Sequence, residues 1–268
     1  MLVLRFGESL HGTETTIFDS EEALKVRLIA PISVLKNQRG EAPDWLEGRL
    51  VWTSVDSGEV TLDVKVKARG RFRRKRSICE FPPYWLNFKK VQTGETVFAG
   101  IDRIKVVSHC GKRVKGFEPY VYREYMVYKT FNILTDKSFR VRLARIEYVD
   151  TNGKFNPFFA MAFLIEPVSV LEKRLGVAQI EERYVLPSRY DRTDLCRAEF
   201  FQYLVATTDF NLFEGLETCC HNAKAFTFVD GSRGAFPVPY DFDLSGLVDV
   251  PYAGVDPNFG IQSVRERL

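Results

Sequence analysis

The sequence predicts an α+β protein whose two lobes meet at a cleft. Three observations carry this: a first third of alternating strands, a long helical stretch after it, and a second run of strands and helices that ends in an acidic motif. The 268 residues have a net charge of +3 and are 45% hydrophobic and 27% charged, which excludes wholesale disorder and fibrous repeats. The near-balanced charge also argues against a strongly electropositive nucleic-acid binder, so no nucleic-acid partner is expected. There are 22 Phe, 11 Tyr and 3 Trp, an excess that points to well-filled cores or a ring-lined cleft. No run of about 18 apolar residues occurs, so no membrane span is expected. The opening residues lack the basic and apolar regions of a secretory signal.

Strands are expected at 24–31, 48–55, 61–68, 84–88 and 103–108. In the third, Leu62, Val64 and Val66 alternate with Asp63, Lys65 and Lys67, the mark of an antiparallel sheet with one wet face. Asp56-Ser-Gly supplies the turn before it. Residues 118–134 place Val121, Tyr125 and Tyr128 at helical spacing, with Pro119 in the first turn. Strands at 140–149 and 158–166 follow, joined by Asp150-Thr-Asn-Gly. Helices are expected at 169–175 and at 191–207, the latter with Leu195, Ala198, Phe201 and Val205 on one stripe. A hairpin at 223–229 and 234–238 turns at Asp230-Gly231.

Residues 69–76, Arg-Gly-Arg-Phe-Arg-Arg-Lys-Arg, are the densest run of charge. Such a run reads as a solvated loop, as a nucleic-acid patch, or as a phosphate clamp in which guanidinium forks hold phosphate oxygens. The five cysteines form no C-x-x-C pair. Either His109, Cys110, Cys219, Cys220 and His221 hold zinc, or the cysteines are buried thiols or disulfides.

The acidic end says more. Asp241-Phe-Asp243 follows a Pro-bounded apolar strand, and in an extended segment both carboxylates face one side and could share a hard cation. Magnesium suits such a pair because it leaves positions open for substrate phosphates. Upstream, Asp209 follows the expected helix, where a rigidly held carboxylate could accept a proton. Asn222 opens the next strand and offers a neutral oxygen ligand.

The order Asp209, Asn222, Asp241-Phe-Asp243 resembles a kinase's catalytic base, second metal ligand and main magnesium ligand. More specifically, the chain resembles the spore-coat CotH kinase-like family. The likeness lies in Lys67-Ala-Arg-Gly70, Phe81-Pro-Pro-Tyr-Trp-Leu-Asn-Phe88, residues 122–134 and Pro239-Tyr-Asp-Phe-Asp243, and runs from about Leu24 onward. The resemblance implies a two-lobed atypical protein-kinase-like fold. Residues 1–115 would be an antiparallel N-terminal sheet lobe, and 116–268 a mixed, compact or C-terminally truncated lobe.

It implies ATP and magnesium as cofactors, and a protein or small-molecule hydroxyl as acceptor. Asp209, Lys105 and Glu124 would be catalytic, with Glu124 holding the lysine (124 − 105 = 19 residues apart). Asp241, Asn222 and Asp243 would hold metal, and Lys105 or Lys89, with Arg69 and Arg71, the nucleotide. Three departures follow: Asn87 replaces the family's strand lysine, no G-x-G-x-x-G loop is present, and Asn211 competes with Asn222 because 222 − 209 = 13 residues is a long catalytic loop. AMP transfer uses the same ligands. An inactive binding or assembly module of the cell envelope is the alternative. The family's export would favour oxidised cysteines, Cys79 with Cys110 among them.

Overall fold

The early strands bury alternate residues, as their pattern requires. In β1 (Leu24–Ala30), Leu24, Val26, Leu28 and Ala30 are buried while Lys25 and Arg27 face outward. The structure, a computed structural model, describes residues 16–54, 58–88, 93–94, 96–111, 114–255, 260–263 and 266. After the one-turn helix α1 (Ile32–Leu35) come β2 (Leu46–Ser54), β3 (Gly58–Ala68), β4 (Tyr84–Phe88) and β5 (Arg103–Val107). The expected turn at Asp56 lies outside the described residues. Helix α2 (Val114–Leu134) starts earlier than its pattern indicated and carries Pro119 inside it. Strands β6 (Val141–Asp150) and β7 (Phe158–Ile165) follow.

These seven strands close into a barrel in the order β1-β2-β3-β4-β5-β7-β6. The closing seam is a parallel ladder between β1 and β6, from Leu24 opposite Ala144 to Ala30 opposite Asp150. The expected kinase-like fold, with an antiparallel sheet lobe followed by a mixed lobe, is therefore corrected: β6 and β7 come after the long helix and complete one closed, mixed barrel. The reason is that alternation reads the same in an open sheet and in a barrel. What differs is whether the edges are paired, and the seam joins residues 120 apart in sequence, such as Arg27 and Glu147. No local pattern encodes that pairing.

The barrel interior is a single apolar cluster including Leu28, Leu50, Val66, Tyr84, Ile104 and Tyr148. Asp150 pins one rim, accepting hydrogen bonds from the backbone and hydroxyl of Ser33 at 3.0 and 3.1 Å. A second core lies outside the barrel wall. There Val121, Tyr125 and Tyr128 of α2 pack on Phe163 and Ile165 of β7, as the helical spacing predicted. From Ala162 to Ile165, β7 is thus buried on both faces, with Leu164 pointing into the barrel and Phe163 out against α2.

The remaining elements cover this outer core. Helix α3 (Val168–Leu175) ends on Gly176, whose left-handed φ of 66° allows the chain to turn into β8 (Val177–Gln179). Helix α4 (Arg192–Leu204) begins at Asp191, whose side chain accepts from the backbone N–H of Asp194, as expected of an N-cap. Strands β9 (Ala223–Phe228) and β10 (Phe236–Pro239) form the expected hairpin, and β8 joins it in the order β10-β9-β8. The short α1 and β8 lack enough residues to show a period and had no sequence signal.

Phe163 should be more costly to truncate than its neighbour two turns of the pleat away. Phe163→Ala, fully buried between barrel and helix, should lose about 3–5 kcal/mol of unfolding free energy. Phe159→Ala, on an exposed ring beneath Arg145, should cost less than about 1 kcal/mol. Denaturant titration of both variants checks the contrast.

Candidate functional site

Three segments bring charged side chains to one cavity of about 570 Å³. The first is the connection from β3 to β4, which contains the basic block. It is solvated only in part: Arg71, Lys75 and Arg76 are exposed, but Arg73 and Arg74 are buried. Arg74 is buried and donates to the carbonyls of Gly70, Gly40 and Glu41, while Arg39 donates to those of Lys36, Arg74, Cys79 and Glu80. A disulfide joins Cys79 to Cys110, just beyond β5. The anchored loop presents Arg69, Arg71 and Arg73 to the cavity.

The second segment follows β10. Phe242 is fully buried against Tyr128 and Phe201, with ring centroids 4.8 and 5.7 Å away, and so fixes the carboxylates on either side of it. The expectation of an extended Asp241-Phe-Asp243 is corrected here. Asp241 has φ 62°, and its N–H donates to the Tyr128 hydroxyl at 2.8 Å. A buried tyrosine holds the residue in a conformation that non-glycine residues adopt rarely, although Asp tolerates it better than most.

The third segment runs from the end of α4 to β9. Asp209 is held by two partners: His221 Nε2 lies 2.7 Å from Oδ1, and the Asn222 amide donates to Oδ2 at 3.0 Å. Asp209, His221 and Asn222 all line the cavity. Asn211 does not compete for that place, because its side-chain oxygen accepts from the N–H groups of Phe213 and Glu214 in a local turn. Adjacent Cys219 and Cys220 are disulfide-bonded just before His221. With Cys110 also in a disulfide, and the one metal-ligand cluster among the described residues being carboxylates, the zinc reading is corrected.

At the cavity floor, Arg73 meets Asp241 and Asp243, which line the cavity, and the buried Glu124, each through a different nitrogen. Nη2 donates to Asp241 Oδ1 at 2.5 Å, Nε lies 3.4 Å from Asp243 Oδ2, and Nη1 lies 3.6 Å from Glu124 Oε2. Arg73, Glu124 and Asp243 are at most 7% exposed. Burial works against the Arg73 charge, yet Asp243, Asp241 and Glu124 hold its pKa above the usual value. One guanidinium does not balance three carboxylates. Burial, opposed by Arg73, pushes Asp243 up to about 6 and Glu124 up to about 8. Burial acts on Asp241 too, but Arg73, Arg69 and Lys105 outweigh it and hold that carboxyl below its ordinary range.

Lys105 sits on β5 with its ammonium 4.6 Å from the Tyr240 ring centroid and 5.7 Å from that of Trp85. Burial, then the charge of Arg69, lower its pKa to about 7, with Asp241 opposing. The expected Lys105–Glu124 pair is corrected: Glu124 of α2 faces Arg73. Lys89 lies outside the described residues. Arg73, Tyr252 and the His221 contact to Asp209 are the parts that sequence reasoning missed. Tyr252 donates to Asp243 Oδ2 at 2.9 Å and lines the cavity. Nothing in the basic block distinguishes Arg73 from its neighbours.

The three carboxylates are of the donor type that a hard cation takes. Glu124, Asp241 and Asp243 each offer a carboxylate oxygen within 4.8 Å of the others, and Glu124 Oε1 is buried without a hydrogen-bond partner. Asn222 lies in the same cavity, but its amide nitrogen is committed to Asp209. No protein-family model matches the chain, and neither does any curated protein. The CotH resemblance therefore rests on its motifs alone. No helix among the described residues is long and apolar enough to cross a membrane.

Glu124 should make the protein pH-sensitive. Because its folded pKa is raised, the stability that goes with its neutral form is full below about 4.5 and is lost as pH rises through about 8. Glu124→Gln stays neutral throughout. Its melting temperature relative to wild type should climb by a few degrees between pH 5 and 8 and then level off, as thermal melts across that range would show.

Proposed function

We propose that the cavity is a magnesium-dependent site that transfers a phosphoryl group from ATP to a hydroxyl of a protein or small molecule. One observation carries the reading: Asp241 and Asp243 share a cavity with Arg69, Arg71 and Arg73, and with Asp209 held between His221 and Asn222. Cationic forks, a carboxylate pair and an oriented carboxylate are the parts that phosphoryl transfer uses. The motif order shared with the CotH family supports the same assignment, without its fold.

The roles follow from the chemistry. Arg69 and Arg71 hold phosphate oxygens through paired N–H donors, which makes up for the missing glycine-rich loop. Lys105, with a pKa near 7, adds charge that is partly present at neutral pH. Asp209 aligns the acceptor hydroxyl and takes its proton as the oxygen attacks the terminal phosphorus and the bond to ADP breaks. Magnesium, held by Asp241 and Asp243, would neutralise phosphate charge. The volume is that of an ordinary small-ligand site. Two disulfides suit an oxidising, exported setting.

Magnesium and ATP together should raise the melting temperature where neither alone does so equally, and Asp241→Asn should abolish that rise. No shift in wild type, or an undiminished shift in Asp241→Asn, would overturn the reading and favour a binding module. Acceptor labelling from γ-labelled rather than α-labelled ATP separates phosphate transfer from AMP transfer.

A further inference from the structure

We propose that Arg73 is a built-in counter-ion occupying the cation position, so that a divalent metal and the Arg73 guanidinium compete for the same three carboxylates. The inference rests on the reading that this cavity takes a divalent cation, and it concerns what controls loading of that site.

The argument is one of space and charge. The ligand oxygens of Glu124, Asp241 and Asp243 lie within 4.8 Å of one another, and Arg73 nitrogens stand 2.5 to 3.6 Å from a carboxylate oxygen of each residue. Magnesium binds oxygen at about 2.0–2.1 Å, so an ion bonded to these oxygens would touch a guanidinium of like charge. The two cannot share the floor. Arg73 also fits the position incompletely. Only its contact to Asp241 is within hydrogen-bonding distance of 3.2 Å or less, and Glu124 Oε1 is buried with no partner.

Arg73 has somewhere to go. Its loop already presents Arg69 and Arg71 to the same cavity, so a displaced guanidinium joins them facing an anionic substrate. Loading the cation would convert a closed floor, partly neutralised by Arg73, into an open one with three arginines on the substrate side. Without a cation, Arg73 keeps the carboxylates from being buried and unpaired.

Manganese alone, with no nucleotide, tests this in the full chain. Arg73→Met should melt at a lower temperature than wild type in chelator and recover on adding manganese. It should also bind the ion about tenfold or more tightly than wild type by calorimetry. Adding Glu124→Gln should erase that gain. Arg73→Lys, whose single ammonium cannot span three carboxylates, should bind with intermediate affinity. Manganese binding no tighter in Arg73→Met than in wild type overturns the proposal. If Arg73→Met does not fold with or without the ion, Arg73→Lys decides: tighter binding than wild type supports competition, and equal or weaker binding overturns it. Because nucleotide is omitted, loss of the magnesium–ATP effect would sink the phosphotransfer reading and leave this result standing.

Discussion

The Arg73 guanidinium among Glu124, Asp241 and Asp243 is the contact on which the arrangement of the site depends. It ties together the β3–β4 loop, helix α2 and the segment after β10, three parts of the chain far apart in sequence. Ions withdrawn from water are tolerated only when paired, so each partner fixes the others. Tyr128 and Tyr252 reinforce the cluster: the Tyr128 hydroxyl accepts from the Asp241 N–H, and the Tyr252 hydroxyl donates to the Asp243 carboxylate. Burial pushes two of the carboxyls upward in pKa, and the single Arg73 guanidinium opposes that without cancelling it.

The barrel supplies the rigid wall behind this cluster. Strand β7 lies between β5 and β6 and its second half is buried on both sides, so α2 has a fixed surface to pack on. That packing aims Glu124 inward while Tyr122 and Arg123, its neighbours on the same helix, face solvent. The outer core also seats Phe242 between α2 and α4, and the backbone around that ring sets where Asp241 and Asp243 point. Aromatic residues that looked like core packing are core packing, and the carboxylates are positioned by them.

Much of the site was legible because its residue types are chemically conspicuous. An Asp after a helix, an Asn opening a strand and an Asp-x-Asp after a Pro-bounded strand all stand in one cavity. Arg73 was not legible. It is one of six basic residues between 69 and 76, and its neighbours go to different fates: Arg69 and Arg71 to the cavity, Arg74 to loop carbonyls, Lys75 and Arg76 to solvent. Composition cannot sort them, because the sorting depends on where the loop is anchored. The partner of Glu124 was missed for the same reason, since a helix face says that a residue is inward but not what it meets.

By itself, the sequence determined most of the segments that become strands and helices, though not the short α1 and β8, because period-two and helical spacing of apolar residues act locally, residue by residue. It also determined the set of charged side chains available for chemistry. Only the tertiary structure decided that the strands close into a barrel rather than form the sheet of a kinase-like lobe, since the β1–β6 seam is a pairing between distant residues with no local signature. It also decided that an arginine rather than a lysine stands against Glu124. Burial requires a cation beside these enclosed carboxylates, and the path of the β3–β4 loop brings Arg73 there.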